Sequence, residues 1–167
     1  MWEHYVTHKK ILEALFANFD AAGNYRILDA GSGRTSLYFL TTTFPNASIT
    51  AIVYPGDERK IRGIREFVPA KNYVLSEIDI KDFKSETRFD IVLAHLLLGE
   101  ATKFGNSFDS VLNALFSINT SYWVIVDVLE DQGVNYRSVL RTVASKGSIK
   151  ALKCLDEYIG FLISSTR

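Results

Sequence analysis

The chain has 167 residues, 47% of them hydrophobic and 23% charged, with 19 basic and 19 acidic side chains. That length suits one domain whose core buries roughly 68–70% of the unfolded surface, and the composition excludes a disordered chain. Zero formal net charge gives no basis for a sequence-independent grip on nucleic acid or on an acidic membrane.

Residues 1–20 are amphipathic and hold no apolar signal core. Tyr5, Val6, Ile11, Leu12, Leu15, Phe16 and Phe19 recur at near-helical spacing, which predicts a covering helix over 3–19. No run approaches the ~18 apolar residues of a membrane span. His4 and His8 would share one helix face. The only other histidine is His95, so surface histidines are expected rather than a metal set.

After Ala22-Gly23-Asn24 the period changes. Five short runs rich in Ile, Val and aromatics read as buried strands: 25–31, 48–54, 73–79, 89–97 and 122–129. Between them lie candidate helices at 34–43, 57–67 and 106–118. Pro45-Asn46 stops the first, and Asp57 is placed to cap the second. The connection 80–88 is too short for a full helix and reads as a turn or stub. Residues 134–146 read as a helix closed by Gly147.

Two strand-like runs follow, separated only by Asp156-Glu157. Nothing helical fits that gap, so they should pair as an antiparallel hairpin. The alternation of strand and helix predicts an α/β fold: a three-layer Rossmann-like open sheet, mostly parallel, with an antiparallel C-terminal hairpin strand. The chain is read as a single domain, 1–167. Its one cysteine, Cys154, lies in the apolar run "ALKCL" and is expected to be a small buried hydrophobe. One thiol and no disulfide framework suit a reducing, cytoplasmic setting.

The chemistry-bearing stretch is "RILDAGSGRTSLYFL", residues 26–40. In an open α/β sheet, ligands sit beyond the carboxyl ends of the strands, near strand one. Gly31 and Gly33 lie there, where glycine lets backbone turn sharply and approach a ligand, ahead of a helix with free N–H groups. A phosphate loop is excluded, because GxxxxGK[ST] does not occur. The dinucleotide pattern G-x-G-x-x-G is half present, with Ser36 at the third glycine. The acid expected about 20 residues on is absent, since that strand ends Ile52-Val53-Tyr54.

These residues resemble the class I S-adenosylmethionine-dependent methyltransferases over about residues 20–167. "ILDAGSGRTS" resembles the family's first motif, "EIDIKDF" the segment after strand three, and "FDIVLAHLLL" the strand-four motif. The terminal hairpin matches the family's reversed seventh strand. The resemblance implies that Ala30, Gly31, Ser32 and Gly33 pass beneath the methionine part of the cofactor. It implies that Asp29 holds the amino end or orients the loop. It places Asp79 on the adenine amino group, Ile80 on the ring and His95 near the methyl donor. Tyr5 on the first helix would close over the pocket.

Two positions depart from the family pattern. Thr35 stands at the third glycine, and Val53 stands where an acid usually grips the ribose hydroxyls. Tyr54, Asp57 or a backbone group would then have to substitute.

His95 and Glu100 are the candidate bases for an acceptor that must lose a proton. The segment after strand four reads "AHLLLGE", with no [DN]PP[YF] signature of amino methylation. The basic set Arg59, Lys60, Arg62 and Arg65 reads as a solvated helix face. Substrate recognition falls to the first helix and to loops 98–106 and 129–135, which suits a small-molecule acceptor but equally a flat surface docking on a larger partner. The expected function is methyl transfer from S-adenosylmethionine. The alternatives are a methyltransferase-like binding protein without catalysis and a nicotinamide-dependent oxidoreductase.

Overall fold

The computed structural model describes residues 5–128 and 136–166. Expectations placed on His4 and on the loop 129–135 fall outside the described residues.

Seven strands form one sheet: β1 (Arg26–Ala30), β2 (Ser48–Val53), β3 (Tyr73–Glu77), β4 (Phe89–His95), β5 (Thr120–Val128), β6 (Gly147–Leu155) and β7 (Tyr158–Ser165). Their order is β3-β2-β1-β4-β5-β7-β6. The pairs β1–β2, β1–β4, β2–β3 and β4–β5 are parallel. β7 runs antiparallel to both β5 and β6, so the expected hairpin is present and its second arm enters the sheet beside β5. Each parallel crossover passes over a face, and the expected three layers follow.

One layer holds α1 (Tyr5–Phe16), α2 (Arg34–Thr43) and α3 (Glu58–Phe67). Their apolar stripes meet Ile27, Ile49, Ile91, Leu93 and Val124 from the sheet. The other layer holds α4 (Leu97–Ala101), α5 (Phe108–Ser117) and α6 (Tyr136–Lys146). There Leu112, Leu115 and Val139 pack on Leu28, Val92 and Ile125. β1 and β4 are apolar on both faces because helices cover both.

The covering helix ends at Phe16 rather than Phe19, and Val6 points outward at 52% exposed. Ile11, Leu12, Leu15 and Phe16 are nonetheless buried; each such burial is worth about 1.5–3 kcal/mol. Asp57 does cap α3: its carboxylate accepts from the Lys60 N–H at 3.2 Å. Segment 80–88 is a turn without a helix.

Gly147 directly follows α6, which ends at Lys146 as expected, and it also opens β6, where a Cβ would run into the Ser164 carbonyl. Two expectations are corrected. Residues 98–106 do not form an open loop; α4 and a 3-10 turn (Thr102–Phe104) occupy most of it. Cys154 is exposed, because β6 is the edge strand and leaves one face open, with Leu152 exposed beside it.

Candidate functional site

β1 delivers "DAGSG" to the carboxyl edge of the sheet. Gly31 takes φ +72°, a left-handed turn that favours glycine. The Ser32 N–H then donates to the Ile52 carbonyl at 2.7 Å and stitches the turn to β2. Gly33 is the N-cap of α2. Its N–H donates to Ser36 Oγ at 3.3 Å, half of a capping box.

Asp29 lies fully buried beneath this turn. Its Oδ2 accepts from the Ser36 hydroxyl at 2.8 Å. Its Oδ1 is buried with no hydrogen-bond partner. Burial pushes this carboxyl up to about 6, against the pull of the Ser36 and Ser32 hydroxyls and the Lys60 charge.

A narrow cleft opens over the ends of β1, β2 and β3. Gly31, Ile52 and Tyr54 line it from the first two strands. Ile78, Asp79 and Ile80 close one end; Leu97, Glu100, Ala101, Phe104, Asn106 and Val111 form the facing wall. Asp79 is held in a tight turn, accepting from the Lys81 N–H at 2.9 Å and ion-paired with its ammonium at 3.5 Å. Tyr54 stacks on Phe104 with centroids 4.5 Å apart.

The facing wall is fixed by its own chemistry. Leu96 adopts φ +58°, an uncommon conformation for a non-glycine residue. That turn starts α4 directly after β4. Asp127, buried at the end of β5, accepts from the N–H groups of Leu98 at 3.0 Å and Gly99 at 3.2 Å. A carboxylate on free helix N–H groups anchors α4 as a cap would. Leu97 then packs over Gly31 so closely that a Cβ there would lie 2.7 Å from its Cδ1.

Across the cleft, Lys60 reaches from α3. Its ammonium pairs with Glu100 Oε2 and donates to the Gly31 carbonyl at 3.4 Å. Lys60 therefore does not belong to a solvated face. Its side chain is 23% exposed, whereas Arg59, Arg62 and Arg65 are exposed. The helical period carried the signal: Lys60 precedes Ile61 and stands four residues before Ile64, both buried.

The structure thus gathers Gly31, Tyr54, Asp79, Ile80 and Glu100 around one cleft. Asp29, Ala30, Ser32 and Val53 are buried behind it. His95 lies elsewhere. It is buried on the α1 side of the sheet, its ring 4.7 Å from that of His8. Burial, His8 and Lys60 lower its pKa to about 3, so the imidazole is neutral near pH 7. Tyr5 lines a separate groove between α1 and α2, edge-on to Tyr38.

Lys60, Asp127, Leu97 and Phe104 escaped the sequence reading. No helix among the described residues is long and apolar enough to cross a membrane.

No protein-family model matches the chain, and no curated protein sequence matches it. Solved structures do. It is similar to an rRNA methylase from Escherichia coli, with 17% identity, 98% of this chain and 65% of that one covered, and a TM-score of 0.68. The chain thus spans less than two thirds of that methylase. It is similar to magnesium protoporphyrin IX methyltransferase from Synechocystis PCC 6803 with bound S-adenosylmethionine: 13% identity, 98% and 79% covered, TM-score 0.69. It also resembles the N-methyltransferase NodS from Bradyrhizobium japonicum WM9 in complex with S-adenosyl-L-homocysteine, with 12% identity, 96% and 86% covered, and a TM-score of 0.68. What these proteins share with the chain is the fold: this is a Rossmann-like class I methyltransferase fold.

Proposed function

We propose that this chain transfers a methyl group from S-adenosylmethionine to a small-molecule acceptor. The observation that carries the reading is the cleft over β1, β2 and β3, bounded by the Gly31 turn at one end and Asp79-Ile80 at the other. The residues fit such a cofactor. Gly31 is already in the turn that brings backbone to a ligand. Asp29 Oδ1 is a buried acceptor without a partner behind that turn. Ile52, Ile78 and Ile80 supply an apolar lining for a base, and Asp79 a carboxylate at its edge.

In this reading Asp29, Ala30, Gly31, Ser32 and Gly33 hold the amino-acid part, and Asp79 and Ile80 hold the adenine. When bound, the cofactor would supply a methyl group already activated on a sulfonium. The chain's work is then to position, to exclude water and to orient. Leu97, Ala101, Phe104 and Val111 keep the facing wall dry. His95, neutral near pH 7, packs against His8, whose ring in turn meets Tyr158.

Balanced charge supports a small acceptor over a polyanion, because phosphodiester binding draws on excess Lys and Arg. A single cysteine, exposed and unpaired, fits the cytoplasm. Thermal-shift and calorimetric titrations with S-adenosylmethionine, S-adenosylhomocysteine and NAD test the reading. A rise of several degrees with the first two is expected. Stabilisation by NAD alone would overturn it in favour of an oxidoreductase. Binding with no turnover across an acceptor panel would mark a binding protein instead.

A further inference from the structure

Resting on that cofactor reading, we infer that Glu100, oriented by Lys60, holds the ribose hydroxyls from the α4 wall of the cleft. β2 lies between β1 and β3, and neighbouring strands are roughly 4.8 Å apart. Gly31 at the end of β1 and Asp79 beyond β3 are therefore separated by two strand spacings, about 10 Å, the span of a nucleoside. A ligand with its base at Asp79-Ile80 and its 5′ substituent at Gly31 has its sugar over the end of β2.

The end of β2 offers that sugar no side-chain carboxylate. Val53 is apolar and fully buried, and the ring of Tyr54 is stacked on Phe104. The carboxylates lining the cleft among the described residues are Asp79 and Glu100. Asp79 is engaged at the far end by the Lys81 N–H and ammonium.

Glu100 is different. It lines the facing wall of the cleft, and its partner Lys60, on the helix that follows β2, also touches the Gly31 carbonyl. The pair thus spans from the α4 wall to the β1 turn. Together the two side chains present an acceptor and a donor at one point. A vicinal diol complements that arrangement, since each hydroxyl can donate to the carboxylate and accept from the ammonium. Asp127 and the Leu96 turn fix α4, and with it the carboxylate. Glu100 is then a binding residue rather than the base its sequence position suggested.

The test is calorimetric titration of S-adenosylhomocysteine and its 2′-deoxyribose analogue. It uses the wild-type protein, Glu100→Gln and Lys60→Met, each shown folded by circular dichroism. Wild type should bind the ribose form about 10- to 100-fold more tightly than the deoxy form. Glu100→Gln should lose that much affinity for the ribose form and most of the discrimination. Lys60→Met should bind both forms more weakly and keep discriminating, because the carboxylate remains. Glu100→Gln binding and discriminating like wild type would overturn the inference while leaving the cofactor reading standing. Wild type failing to bind S-adenosylhomocysteine at millimolar concentration would overturn both.

Discussion

Ser36, one turn into α2, donates its hydroxyl to Asp29 Oδ2 at 2.8 Å, while Asp29 Oδ1 on the same buried carboxyl has no partner. The glycine turn is therefore locked to the helix behind it by a half-satisfied acid. Burial lifts that acid from its ordinary 3.8 to about 6.

The sign of the pH effect follows. Between about pH 4 and pH 6 the folded protein binds a proton at Asp29 that the unfolded chain has lost. Folding stability falls as pH rises through that window, by on the order of 3 kcal/mol for this group alone. Asp29→Asn should remove that slope, so the variant gains on wild type as pH rises from 4 to 6. Ser36→Ala should destabilise more above pH 6 than at pH 4, because it strips the bond from the ionised carboxylate. Urea unfolding at a series of pH values checks both. A wild-type minus Asp29→Asn difference that is flat across the window would show that the carboxyl is not perturbed.

His95 has the opposite sign. Its folded pKa, about 3, lies below the ordinary 6.5 because the ring is buried against His8 with Lys60 nearby. Between these values the unfolded chain binds the extra proton. The neutral ring's contribution is complete above pH 6.5 and is lost as pH falls toward 3. His95→Phe fills the space without the titration. Its unfolding free energy should decline less steeply than that of wild type between pH 6.5 and pH 4. Parallel curves would mean that the ring is hydrated in solution.

The strands, the reversed hairpin and the glycine turn were readable because each follows from a short local pattern. The runs around Ile27, Ile49 and Val92 are apolar on both faces, and a gap of two residues before Tyr158 admits only a hairpin. The cleft wall was not readable. α4 is five residues long, too short to show a period. It starts only because Leu96 accepts a left-handed backbone and Asp127, 29 residues away in sequence, supplies the cap. Lys60 reads as one of four basic residues on a helix until the tertiary fold aims it at Gly31. Cys154 reads as core until β6 proves to be the edge.

The two glycines of the turn should separate fold from binding. At Gly31 a Cβ meets Leu97 at 2.7 Å, and φ is +72°. Gly31→Ala should cost about 1–3 kcal/mol of stability. At Gly33 the backbone is extended, with φ −132°, and a Cβ would meet nothing within 4 Å. Gly33→Ala, at an N-cap without a clash, should cost less, about 0.5–1 kcal/mol, while narrowing the space above the turn. Thermal melts read the first difference. Titration with S-adenosylhomocysteine reads the second, with affinity expected to fall although the fold is intact. Equal stability of the two variants would contradict the left-handed turn.

Asp127 ties β5 to the cleft without lining it. Its Oδ2 accepts from Leu98 and Gly99, and Oδ1 from the Val128 N–H at 3.0 Å. Asp127→Ala leaves the buried N–H groups at the start of α4 without that acceptor, at a cost of about 1–3 kcal/mol. It also frees α4 to shift, which moves Glu100 and Leu97 relative to Gly31. Asp127→Asn keeps an oxygen for the same N–H groups but gives up the charge that favours a helix start, so the loss should be smaller. The expected order of stability is wild type, then Asn, then Ala, with cofactor affinity falling in the same order. Amide hydrogen exchange at Leu98 and Gly99 is the direct readout, since both N–H groups should lose protection in Asp127→Ala. Unchanged protection there would mean that α4 is held by Leu98 and Ala101 packing against the sheet instead.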